Sequence, residues 1–220
     1  MRSQDCTRLQ DIRPVLTGHV RLTARLSLTD ADRAVVVLAS GGRSTEDDRY
    51  LAQVLRRAGF GTMVTDLLAE DEVSSPHDVF DVPLLAGRLR RAATWLHSRT
   101  GLPYAYVAAD TAAAAALEAV APGLFAIVSR GGRPDLASPA ALAAVRVPTL
   151  IVAGALDTRV VGRSRLAVDW MRCEHEHRIV VVPCATHLLS GPSVPAAVAD
   201  LTREWLSARL PQTTSGPSLA

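Results

Sequence analysis

The run Ala34-Val35-Val36-Val37-Leu38-Ala39 is apolar at every position, with no polar alternation. A strand of this kind has to be buried on both faces, which a mostly parallel sheet sandwiched between helices provides. Similar short runs recur at Phe60 to Leu67, Tyr104 to Ala109, Leu124 to Val128, Thr149 to Ala153 and Arg178 to Val182. Between them lie stretches of helical character. These are Asp47 to Ala58 (stopped by Gly59), Val82 to Thr100, Thr111 to Val120, a short alanine-rich segment, Ser164 to Met171 and Val194 to Leu210. Leu84, Leu85, Leu89, Ala92 and Leu96 keep near the helical period in the second of these. Such alternation predicts an α/β fold with a sheet of about seven strands flanked by helices. Val20 to Leu28 alternates polar and apolar residues and predicts an antiparallel edge strand. The segment from Ala69 to about Asp78 predicts a polar, acidic loop.

At 220 residues the chain has room for one α/β domain. We divide it into an N-terminal extension (1–18), a domain (19–210) and a flexible tail (211–220) rich in polar residues, Gly and Pro. Apolar residues make up 48% but aromatics only 4%, so Ala, Val and Leu must build the core. A net charge of +2 gives no reason to expect nucleic acid or a membrane as partner. All 24 basic residues are arginine, which excludes Schiff-base, pyridoxal-phosphate and phosphate-loop lysine chemistry. Cys6, Cys173 and Cys184 have no paired spacing and suggest a reducing compartment. No apolar leader core and no membrane-length apolar run is present, so a cytoplasmic location is expected.

The segment Tyr104 to Ala116 reads as strand, sharp turn and helix. This is the context of a nucleophile elbow, Gly-x-Ser-x-Gly. Here the five residues are Ala108-Ala109-Asp110-Thr111-Ala112. Aspartate tolerates the left-handed backbone that such a turn imposes. Alanines at either side keep the small volume that close helix–strand packing requires. Asp157, ending a strand in Gly-Ala-Leu-Asp, and His187, in Ala-Thr-His after another strand, follow in the order acid then histidine.

Together with the runs at Val35 to Gly41, Val128 to Asp135, Val147 to Asp157 and Val182 to His187, this order makes the chain resemble the α/β-hydrolase superfamily. Within it, the resemblance is to the small, lidless dienelactone-hydrolase-like branch. No long insertion separates Val128 from Thr149, where larger relatives carry a lid. The resemblance implies catalytic roles for Asp110, His187 and Asp157; no cofactor and no metal are expected. Resemblance to aspartate-nucleophile members implies an ester on Asp110, a water activated by His187 and Asp157 as orienter. The backbone N–H groups of Ser40 or Gly41 and of Thr111 would form the oxyanion hole. Two other readings stay open. Asp110 and Asp157 could flank a protonated His187 in a lyase, isomerase or cyclase. Alternatively Asp110 caps the following helix in an inactive, ligand-binding protein.

Arg130, Arg133 and Arg159 follow strands at the edge where open α/β sheets bind ligands, and are candidates to hold an anionic substrate. Pairing with Asp135 or with loop carbonyls is their alternative. A homodimer is also compatible with the chain. His175 and His177 lack a third metal ligand and read as a solvated turn, Ser129 lacks an elbow, and Cys184 is expected to pack. The acidic clusters at Glu46 to Asp48 and Glu70 to Glu72 read as a helix start and a solvated loop.

Overall fold

Ten strands and seven α-helices alternate along the described residues of the computed structural model, which are 8–12, 15–17, 20–172 and 176–211. In chain order they are β1 (Arg8–Ile12), β2 (Val15–Thr17), β3 (Val20–Arg21), β4 (Ala24–Leu28), β5 (Val35–Ser40), α1 (Glu46–Arg57), β6 (Gly61–Asp66), α2 (Pro76–Val79) and α3 (Val82–Thr100). There follow β7 (Tyr104–Ala109), α4 (Ala112–Glu118), β8 (Leu124–Arg130), α5 (Pro139–Ala144), β9 (Thr149–Gly154), α6 (Thr158–Trp170), β10 (His177–Val182) and α7 (Val194–Arg209). Cys6, Cys173, His175 and most of the tail lie outside the described residues. No helix among the described residues is long and apolar enough to cross a membrane.

The main sheet has eight strands in the order β1-β4-β6-β5-β7-β8-β9-β10. Every pairing from β6 across to β10 is parallel, whereas β4 runs antiparallel to β6 and β1 antiparallel to β4. The expected α/β architecture is therefore present, with one strand more than anticipated. That strand is β1, from the stretch read as an extension, and it pairs along a β4 edge that would otherwise be open. The single expected strand from Val20 to Leu28 is divided. Val20–Arg21 pairs with β2 in a separate two-stranded ribbon, and only Ala24–Leu28 joins the main sheet.

Each fully buried strand feeds both faces. Val36, Leu38, Val107, Val128 and Val152 pack with Leu51 and Leu55 of α1 and Val198 and Leu206 of α7. Val35, Val37, Tyr106 and Ile127 pack on the opposite side with Leu85 and Leu89 of α3, the alanines of α4 and Ala167 of α6. Ala112 through Ala116 of α4 are completely buried. Methyl-sized side chains let this helix lie close to the strands, and alanine's helix propensity offsets the small area each buries.

Two local differences from the expected pattern matter for the site. Helix α6 begins at Thr158, six residues before the expected Ser164, because the Asp157 carboxylate caps it by accepting from the Val160 N–H at 3.0 Å. The acidic stretch is not a plain loop. It contains a 3₁₀ turn at Glu72–Ser74 and then α2, which starts with Pro76 behind a Ser75 cap. Glu72 is not merely solvated either. Both its oxygens accept from Arg88 of α3, at 2.5 and 2.7 Å, and Arg88 also donates to the Leu67 carbonyl at 2.8 Å. Arg88 is only 3% exposed, so burial of its charge demands this partner.

Candidate active site

Strands β5, β7, β8, β9 and β10 are neighbours in the sheet, and their carboxyl ends open on one cleft of about 470 Å³. After β7 the chain turns sharply at Asp110, whose φ is +50°. The backbone is therefore left-handed at the position expected for an elbow, and the carboxylate projects into the cleft. Helix α4 is preceded by Thr111 with no side-chain cap bond, so Asp110 does not serve as its cap. Asp157 follows β9, and His187 follows β10 by a short loop.

These three residues converge. His187 Nδ1 lies 3.2 Å from Asp157 Oδ2, and Nε2 lies 3.8 Å from Asp110 Oδ1. The second separation exceeds a hydrogen bond of roughly 3.2 Å or less, so Asp110 and His187 face one another without a direct bond. Asp157 is fixed through its other oxygen by the cap of α6. Asp110 is the most exposed of the three, its side chain 54% accessible against 22% for Asp157. The His187 loop is held from behind by β9: a Cβ built on Gly154 would stand 2.1 Å from the Thr186 carbonyl oxygen.

The loop after β5 closes the cleft opposite His187. A Cβ on Gly41 would stand 2.3 Å from Thr111 Oγ1, so only glycine lets this loop lie against the elbow. Among the described residues no backbone carbonyl accepts from the Gly41 or Thr111 N–H. Ser40 departs from expectation. It ends β5, its side chain accepts from the Gly42 N–H at 3.2 Å, and it does not line the cleft, whereas Gly42 does.

The arginines separate into different roles. Arg130 is corrected from substrate contact to structural partner. Its guanidinium pairs with Asp48, a buried carboxylate that also closes the capping box of α1 with Thr45. A buried carboxylate needs such a counter-charge, and the pairing turns Arg130 away from the cleft. Arg133 does line the cleft and is gripped by Asp135 through two hydrogen bonds of 2.9 Å. Burial alone would push the Asp135 carboxyl up, but Arg133 and Arg163 outweigh it and hold the group below its ordinary value. Arg159 lines the cleft from the first turn of α6, exposed and with no acidic partner among the described residues.

Sequence reasoning missed Arg163, Val160 and the apolar wall of Val73, Val79 and Phe80. Arg163 sits one helical turn beyond Arg159 and was obscured by the late start assigned to α6. The Asp157-Thr158 pair was the available cap signal. The cleft thus has a floor of two carboxylates and a histidine, one cationic wall and one apolar wall. Ser129 is fully buried. Cys184 is exposed rather than packed, and neither Cys184 nor Ser129 lines the cleft. His177 opens β10 instead of lying in a turn.

No family model matches the chain. Two Mycobacterium tuberculosis proteins, each named as a phosphoribosyl transferase, are 39% identical to it over 202 residues. That is 87% of this chain but 44% of theirs, so the chain spans less than half the length of the curated relatives it matches. Among solved structures, a dienelactone hydrolase from Anabaena variabilis superposes with a TM-score of 0.83 at 36% identity, covering 93% of this chain and 100% of that one. A dienelactone hydrolase-like promiscuous phosphotriesterase from metagenomic libraries shares the fold, with a TM-score of 0.76 at 15% identity over 93% of this chain and 99% of its own.

Proposed function

The chain belongs to the dienelactone hydrolase family of α/β hydrolases, and on that premise we propose that it hydrolyses a small anionic organic molecule through an ester formed on Asp110. The observation that carries this reading is the placement of an exposed carboxylate at a left-handed elbow, opposite a histidine backed by a second carboxylate. An ionised carboxylate attacks without a base. One Asp110 oxygen bonds to the electrophilic carbon of the substrate, and the leaving group departs with the electron pair. His187 Nε2 then takes a proton from a water that attacks the Asp110 carboxyl carbon. The negative charge on the tetrahedral intermediate meets the Gly41 and Thr111 N–H groups. Collapse releases the alcohol product, which takes the proton back from His187. Asp157 holds the imidazole and offsets its transient charge. Arg159 and Arg163 receive the anionic group of the substrate, and Phe80, Val73 and Val79 its apolar body.

One observation favours a second reading. Carboxylates stand at both ring nitrogens of His187, at 3.2 and 3.8 Å. That arrangement also suits a proton shuttle in a lyase, isomerase or cyclase. A single turnover in heavy-oxygen water separates the two, after a screen of small alkyl halides and epoxides bearing one carboxylate. The ester route leaves label in the Asp110 peptide. Turnover with an unlabelled Asp110 sinks it. Asp110→Asn and His187→Ala each abolish turnover on either route.

A further inference from the structure

A larger concavity, about 820 Å³, lies beside the catalytic cleft, behind the loop at residues 41–44. On that face of the sheet α1 packs against β5, β6 and α7, and the concavity lies over β6 and β4. Beyond α1 the strand positions facing outward turn polar. Arg25 and Ser27 of β4 sit in register with Val64 and Thr62 of β6, while Leu26 and Met63 between them enter the core.

Among the described residues, charge in this cleft leans positive, with Arg43, Arg49 and Arg56 lining it beside Asp66 and Glu70. Both acids are already engaged. Asp66 accepts from the Ser44 N–H at 2.7 Å and from the Ser44 hydroxyl, and Glu70 pairs with Arg43 at 2.5 Å on the exposed rim. Arg49, two turns before Arg56 on the same face of α1, has no acidic partner among the described residues. Arg56 donates to Ser27 Oγ at 3.0 Å, which holds its guanidinium over the floor. Ser27 and Thr62, in register on β4 and β6, line a polar floor that is only 3% and 1% exposed. The volume falls inside the range of about 300–1,000 Å³ typical of small-molecule sites.

We propose that this cleft binds a small phosphorylated molecule, its phosphate between Arg49 and Arg56 and its hydroxyl-bearing body over Ser27 and Thr62. The site adjoins the catalytic cleft, with Val73 lining both, and does not depend on the reading given for it. Two planar forks on one helix face match a phosphate's oxygens, and the polar lining suits a hydroxyl-bearing body.

Titration calorimetry of the full chain with inorganic phosphate and with glucose 6-phosphate tests the assignment, with glucose and citrate as controls. Saturable one-to-one binding of glucose 6-phosphate is expected, with phosphate weaker and glucose silent. Arg49→Gln weakens it about tenfold, the loss of one charge-assisted bond, and the double variant Arg49→Gln/Arg56→Gln removes it. Arg159→Gln, in the other cleft, leaves it unchanged. Arg49 is exposed, so its variant keeps the wild-type melting curve, which guards against misfolding as the cause. Absence of saturable binding, binding that survives the double variant, or loss with Arg159→Gln would overturn the proposal. Citrate binding as tightly as glucose 6-phosphate, with the same dependence on Arg49, would overturn its phosphate specificity.

Discussion

On the proposed reading position 110 carries the chemistry, and its left-handed backbone is one that aspartate tolerates. A φ of +50° is imposed by the turn between β7 and α4, and the carboxylate is simply what the turn presents. Asp110→Ser therefore restores a serine opposite His187 and Asp157. We expect it to hydrolyse p-nitrophenyl acetate about a hundredfold faster than Asp110→Ala, the scale of general-base assistance, while the wild type matches Asp110→Ala. Equal rates for both variants would show that the Gly41 and Thr111 amides are not poised for an acyl substrate. A second residue-scale test concerns Gly154. Its Cβ would meet the Thr186 and Ala185 carbonyl oxygens at 2.1 and 2.5 Å, both backbone atoms that cannot rotate away. Gly154→Ala should cost about 1–3 kcal/mol in a urea titration. Turnover should fall further than that loss explains, because the displaced segment carries His187. Normal turnover would mean that the loop absorbs the shift elsewhere.

Among elements, the 3₁₀ turn and α2 are the least obvious part of the site, since they bring Val73, Val79 and Phe80 to it. They are tied to α3 through Glu72 and Arg88. The hydrogen bonds from Arg88 outweigh burial and hold the Glu72 carboxyl below its ordinary value. A depressed carboxyl stabilises the fold fully above the unfolded glutamate value, and that contribution disappears as pH falls through the folded value. Glu72→Gln should thus cost about 2–3 kcal/mol at neutral pH. The gap to wild type should shrink as the medium is acidified below that of an ordinary glutamate, read from urea midpoints across pH. A gap that stays constant would mean that the charge on Glu72 is immaterial. These elements also mark where sequence reading fell short. The strands of the parallel core were legible to within a residue or two, because two-sided burial leaves an unbroken apolar run such as Val35 to Ala39. Glu72 looked solvated because its partner lies 16 residues away on another helix, and Asp48 was not legible as the partner of Arg130 because it lies 82 residues away. No local period records such pairings. The positions of Asp110, Asp157 and His187 were legible because each follows a strand. The cleft walls were not, since they come from loops and a short helix whose placement depends on those distant ion pairs.

At the scale of the molecule, charge is sorted although the total is only +2. Arg159 and Arg163 gather at the rim of the catalytic cleft, and further arginines gather in the neighbouring one. For a carboxylate-bearing substrate, kcat/KM should fall several-fold as salt rises from about 0.05 to 0.5 M, while a neutral ester analogue is unaffected. Salt dependence of equal size for both substrates would remove any steering role from the rim. The order of strands has a last consequence, in time rather than in space. The elbow, the acid and the histidine follow β7, β9 and β10, so they leave the ribosome in the sequence in which they stand across the sheet. A nascent chain can close the inner strands, seat Asp110 and cap α6 with Asp157 while it still lacks an imidazole. Only when β10 docks as the outermost strand does His187 meet its two carboxylates. On the proposed reading, reactivity is thereby withheld until the body of the sheet is assembled.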